Sequence, residues 1–171
     1  MQDQALPATN PEASRVPPRP IVRFVRARLG GFAVFASGAL VLVIAAGLNA
    51  NPTGIGTHTQ LGLSPCGFKD RTGLPCATCG MTTATTLAAD GRFFDSIRVQ
   101  PGGFLFAVGA ATSVIVGGWS VWTGRSLLPL GIVLVKPKSL VAIGVVLLLA
   151  WTYRIADTML GTQWNTLGTM L

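Results

Sequence analysis

An all-α, polytopic membrane protein is the architecture this chain predicts, and three observations carry that reading. Half of its 171 residues are apolar and only 11% are charged, with a mean hydropathy of +0.55, a balance foreign to water-soluble domains. Two uncharged runs, Leu29 to Ala50 and Val99 to Gly124, are long enough to cross a hydrocarbon core of roughly 30 Å. The basic residues gather at the flanks of the apolar runs, where lipid headgroups hold them. About three transmembrane helices are expected, with a short Cys-loop helix and an interfacial amphipathic helix between the first two.

In chain order, residues 1–28 form a basic, proline-rich leader with Pro7, Pro11, Pro17, Pro18 and Pro20 among small polar residues, a composition expected to be disordered. The apolar run behind it is of span length, and Leu48 occupies the place where a signal-peptide cleavage site needs a small residue, so an uncleaved anchor is expected. Residues 29–171 then make a single membrane domain. Its spans are expected at about 29–50, 103–123 and 139–160, and its Cys-motif loop at 51–102. The third run is uncharged only from Ser139 to Tyr153, so a full crossing requires Lys138 and Arg154 to snorkel. Gly109, Ser113 and Gly117 recur every four residues along the second span, a small-residue stripe suited to close helix packing. Between the second and third spans, Leu127 to Val135 is too short to cross and is expected in the interface.

Within the loop, Asn51 to Pro65 is rich in Gly and Thr and reads as irregular. Gly80 to Ala89 is expected to form a short helix, stopped by Asp90 and Gly91. Arg92 to Val99 reads as the interfacial helix, with Phe93, Phe94 and Ile97 on one face and Asp95 placed to pair with Arg98. Pro101, Gly102 and Gly103 are expected to break this interfacial helix before the second span begins.

Charge placement sets the expected orientation. Arg15, Arg19, Arg23, Arg26, Arg28, Arg125, Lys136 and Lys138 fall on one side, against Lys69, Arg71, Arg92, Arg98 and Arg154 on the other. The positive-inside rule therefore puts the N-terminus in the cytoplasm of a bacterial cytoplasmic membrane, and the cysteine loop in the periplasmic or extracellular space. Lipid headgroups account for the positive charge, so nucleic acid is not expected as a partner.

The chemistry-bearing residues lie in one segment. Cys66, Cys76 and Cys79 are all the cysteines of the chain, and the latter two form a C-x-x-C pair just ahead of the expected helix. Thr72 and Gly73 supply a turn that returns the chain from Cys66 toward the pair. Three outcomes stay open. A structural disulfide, for example Cys66 to Cys76 or Cys66 to Cys79, would pin the loop and is the foremost expectation. Three thiolates with His58, the single histidine, would make up a zinc site, although a lone loop histidine is ordinarily solvated. Thiol exchange would use the C-x-x-C pair as its reactive centre. No cofactor is specified by these residues, and zinc is the ion that such a donor set would admit.

The run Cys66, Thr72, Gly73, Pro75, Cys76, Cys79, Gly80 and Thr82 resembles the signature C-x5-T-G-x-x-C-P-x-C-G-x-T-R of an uncharacterised bacterial family of small polytopic membrane proteins, the domain of unknown function 2752 type. The resemblance covers roughly Pro65 to Leu105. Ala77 stands where that family usually has proline and Thr83 where it usually has arginine, while Gln100, Pro101 and Gly102 look like its Asn-Pro-Leu element. Membership implies a membrane fold and a cysteine centre, without an activity. The leading expectation is a non-enzymatic accessory or scaffold subunit in the lipid bilayer, packed beside larger membrane partners. A membrane thiol-redox or metal-binding protein is the alternative. Transport is not expected, since the spans show no ionisable residue that must be buried.

Overall fold

A computed structural model describes residues 20–127, 130–132 and 135–160. All the regular structure among them is helical: α1 (Pro20–Ala46), a 3-10 turn (Thr57–Leu61), α2 (Gly67–Thr72), α3 (Met81–Ala89), α4 (Phe93–Val99), α5 (Pro101–Thr123) and α6 (Pro137–Met159). Three stretches, Phe24–Ala46, Pro101–Thr123 and Pro137–Met159, are long and apolar enough to cross a membrane. Their surfaces carry large apolar side chains such as Val43, Ile115 and Val141, which water would penalise and lipid accepts.

The helix bounds differ from the sequence-based expectation in instructive ways. The first helix begins at Pro20, ahead of Leu29, and ends at Ala46. The first-turn position tolerates Pro20 because its missing N–H would have no helical partner there. Residues 1–19 of the expected leader lie outside the described residues. The interfacial helix does end ahead of Pro101, at Val99 with Gln100 extended, and Pro101, Gly102 and Gly103 themselves form the first turn of α5, so the second span begins at Pro101. Gly102 and Gly103 are buried there because neighbouring helices press on them.

Helices α1 and α5 form a close antiparallel pair. A Cβ on Gly117 would lie 2.5 Å from the Phe35 nitrogen, and one on Gly38 would lie 2.5 Å from the Ala110 carbonyl oxygen. The absence of side chains at these positions is what lets the backbones meet. Ser113 also belongs to this seam, its Cβ being 2.9 Å from where a Gly38 Cβ would stand, whereas Gly109 faces open space. Only part of the expected small-residue stripe therefore packs against α1.

The short helices sit across the loop end of this pair. Ala84, Leu87 and Val99 form a small buried cluster, and the Ser96 hydroxyl donates to the Ala84 carbonyl at 2.6 Å, tying α4 to α3. Gly103 of α5 approaches Ala84 and Met81 closely enough that any Cβ there would clash. Helix α4 keeps Phe93, Phe94 and Ile97 exposed, as an interfacial helix should. Asp95 pairs with Arg92 rather than Arg98, Nε to Oδ2 at 2.9 Å. Both arginines stand three residues from Asp95, so spacing alone does not distinguish them. Of the expected interfacial run Leu127 to Val135, residues 128, 129, 133 and 134 lie outside the described residues.

Helix α6 meets the rest of the protein mainly at its C-terminal half. Ala150 and Leu147 lie against Gly102, the Trp151 indole N–H donates to the Pro75 carbonyl at 3.1 Å, and the Tyr153 hydroxyl meets the Arg98 carbonyl at 3.2 Å. Arg154 does not snorkel. It is 2% exposed, turned inward with Nη1 3.2 Å from Asp157 Oδ2, so a buried ionisable residue does stand in this helix, contrary to the sequence expectation.

Candidate thiol centre

The loop end of the bundle brings the three cysteines together. Cys66 immediately precedes α2, a helix of one and a half turns closed by Gly73 at φ 72°, whose N–H donates to the Lys69 carbonyl at 2.8 Å. The Thr72 hydroxyl donates to Phe68 O at 2.7 Å and accepts from the Leu74 N–H at 3.2 Å, fixing the same turn. The chain thereby doubles back, and buried Pro75 delivers Cys76 beside Cys66. A turn from Cys76 to Cys79, with the Cys79 N–H 3.0 Å from the Cys76 carbonyl, places both thiols on one side. Gly80 then enters α3 with φ 87°, a left-handed conformation that glycine takes without penalty.

All three cysteines are free thiols, and their Sγ atoms lie within 4.8 Å of one another. Cys76 Sγ is 3.1 Å from Cys79 Sγ and 3.4 Å from the Thr78 hydroxyl. The two members of the pair differ electrostatically. Partial burial pulls the Cys76 thiol upward, but hydrogen bonds from the Thr78 hydroxyl, the Cys79 and Cys66 thiols and the Thr78 backbone favour its thiolate more and leave it at about 7. Cys79 is pushed up to about 12, by burial first, then by its hydrogen bonds to Cys76 and Cys66 and by the charge on Cys76. Cys76 is therefore the thiol that ionises near neutrality, and the more buried Cys79 is the one that stays protonated.

The sulfurs form part of the wall of a cavity of about 500 Å³, bounded by Ile44 of α1, Leu48 just beyond it, Phe106 of α5 and Met81 of α3. Thr82 and His58 also reach it. His58 stands apart from the thiol group: its Nε2 is 3.2 Å from the Ser64 carbonyl oxygen. The structure thus gathers Cys66, Cys76 and Cys79, brings His58 to the same cavity, and uses Thr72, Gly73, Pro75 and Gly80 to shape the loop. Gly109, Ser113 and Gly117 belong to the transmembrane region, away from this loop.

Several supporting residues take structural roles around the thiols that their sequence positions do not announce. Gln100, 2% exposed, donates from Nε2 to the Ala77 carbonyl at 3.1 Å, holding the backbone between the paired cysteines. Thr83, at the position where the resembled signature has arginine, is buried, its hydroxyl 2.8 Å from that of Thr57. Trp151 holds Pro75 from α6. An aromatic belt would place a tryptophan at a span end without any such contact.

These features define an α-helical integral membrane protein with a three-thiol centre at the loop end of its bundle. Residues 66–114 match the family model described as Protein of unknown function (DUF2752). The match begins at the first of the three cysteines and runs into the middle of α5. No curated protein and no solved structure matches the chain.

Proposed function

We propose that this protein binds a thiophilic divalent metal ion, zinc foremost, through Cys66, Cys76 and Cys79. The observation that carries the reading is the convergence of three sulfurs within 4.8 Å of one another, a separation that closes onto one ion with metal–sulfur bonds of about 2.3 Å after small rotamer adjustments. The thiolate character of Cys76 supplies the first ligand, and a bound cation favours ionisation of the others. His58, already on the cavity wall, or a water takes the fourth position. The disulfide reading is less well supported, because pairing any two of these sulfurs leaves the third stranded beside them.

The proposed setting is a bacterial cytoplasmic membrane with the N-terminus in the cytoplasm and the thiol centre outside, as the basic flanks favour. An accessory role beside larger membrane partners is compatible with the metal centre. It is favoured by Phe94 and Trp122, 82% and 78% exposed, which offer large apolar contact area at the two ends of the bundle.

Elemental analysis by inductively coupled plasma mass spectrometry tests the metal reading on protein purified in mild detergent without chelator. One equivalent of metal per chain is expected, lost when Cys66, Cys76 and Cys79 are all changed to serine. Equal, substoichiometric metal in both proteins would refute it.

A further inference from the structure

A buried guanidinium lies against the backbone of the thiol loop. Arg154 enters from α6 and is 2% exposed. Its Nη1 faces Asp157 Oδ2 at 3.2 Å, and its Nη2 lies 3.5 Å from the Gly54 carbonyl oxygen. Its Nε lies 3.7 Å from the point where Gly80 would carry a Cβ. Gly80 directly follows Cys79. One turn earlier, Trp151 holds Pro75, the residue before Cys76. Helix α6 therefore grips the C-x-x-C segment on both sides and delivers a cation at its C-terminal side.

An arginine buried in a membrane helix is costly and points to a role that requires its charge. Asp157 offsets part of that charge but is itself more accessible, with a side chain 13% exposed against 3% for Arg154. The less solvated end of the ion pair thus faces the thiol loop. Three thiolates around one divalent ion carry a net negative charge, which an apolar surrounding destabilises unless a cation lies nearby. Resting on the metal-centre reading above, we propose that Arg154 is the countercharge of the three-thiolate metal centre, a positioning and charge-balancing residue supplied by a helix outside the cysteine segment.

The test uses the full chain in detergent, with Cd2+ as the probe. Affinity is read by chelator competition and coordination by the cadmium–thiolate charge-transfer band. Arg154→Gln is expected to weaken Cd2+ binding by about tenfold or more, the size of one lost charge interaction of roughly 1.4 kcal/mol. Arg154→Lys, which keeps the charge, is expected to recover most of that loss. Asp157→Asn removes the competing anion and is expected to tighten binding; it also serves if Arg154→Gln does not fold. A folded Arg154→Gln protein with wild-type affinity would overturn the proposal while leaving the metal centre standing. So would Arg154→Lys no better than Arg154→Gln, which would assign the effect to shape, or an Asp157→Asn protein whose affinity is unchanged or weaker. Failure of the wild type itself to bind Cd2+ or to show the band would overturn the metal-centre reading and this proposal together.

Discussion

Cys76 and Cys79 are separated by two residues, yet their surroundings drive them in opposite directions. Thr78, inside the pair, turns its hydroxyl toward Cys76, while Cys79 lies buried at 5% exposure. The consequence is measurable by alkylation. Thiolate is the reacting form, so iodoacetamide should modify Cys76 first, with a rate that rises as pH increases through about 7. Cys79, pushed up to about 12, should remain slow across the same range. Mass mapping of the modified peptides at several pH values checks this, and an equal rate at both cysteines would contradict it. The C-x-x-C spacing is legible in the sequence as a paired thiol site, but the asymmetry is not. It depends on how deeply the loop seats each sulfur, and that is decided by Gln100 and Trp151, which hold the loop's carbonyls from distant parts of the chain.

Helices α1 and α5 meet through missing side chains, and their long uncharged runs make both helices plain in the amino-acid sequence. Which small residues face the partner is less plain. Gly109, Ser113 and Gly117 share a spacing of four, but only Ser113 and Gly117 touch α1, because each step of four residues turns about 40° around the helix and Gly109 has rotated off the face while Ala110 beside it still meets Gly38. Gly31 and Gly38 of α1 supply the matching hollows. Gly117→Val should force the pair apart and destabilise the protein by about 1–3 kcal/mol, the usual range for overpacking, whereas Gly109→Val should be close to neutral. Thermal unfolding in detergent followed by circular dichroism distinguishes them, and equal losses at both positions would refute this account of the seam. Arg154 marks the limit of reading spans by charge. A basic residue near a helix end fits snorkelling and inward burial equally well, and the choice here falls to Asp157 and to the Gly54 carbonyl, which the fold brings to the guanidinium.

The molecule as a whole joins a lipid-facing bundle to a polar end where the thiols collect. The Cys segment is held from two sides: α3 follows it and packs on Gly103 of α5, and α6 reaches back to it through Trp151. The short α2 and the Gly73 turn bring Cys66 back to the pair, a return that Thr72 and Gly73 do announce in the sequence. The proposed orientation predicts that a membrane-impermeant maleimide labels Cys76 on intact cells under reducing, metal-stripped conditions; labelling only after lysis would invert the topology. The thiol centre itself is tested most directly by X-ray absorption at the zinc edge on the zinc-loaded protein. Three sulfur neighbours at about 2.3 Å with one lighter atom are expected, and a first shell of nitrogen and oxygen alone would contradict the three-thiolate site.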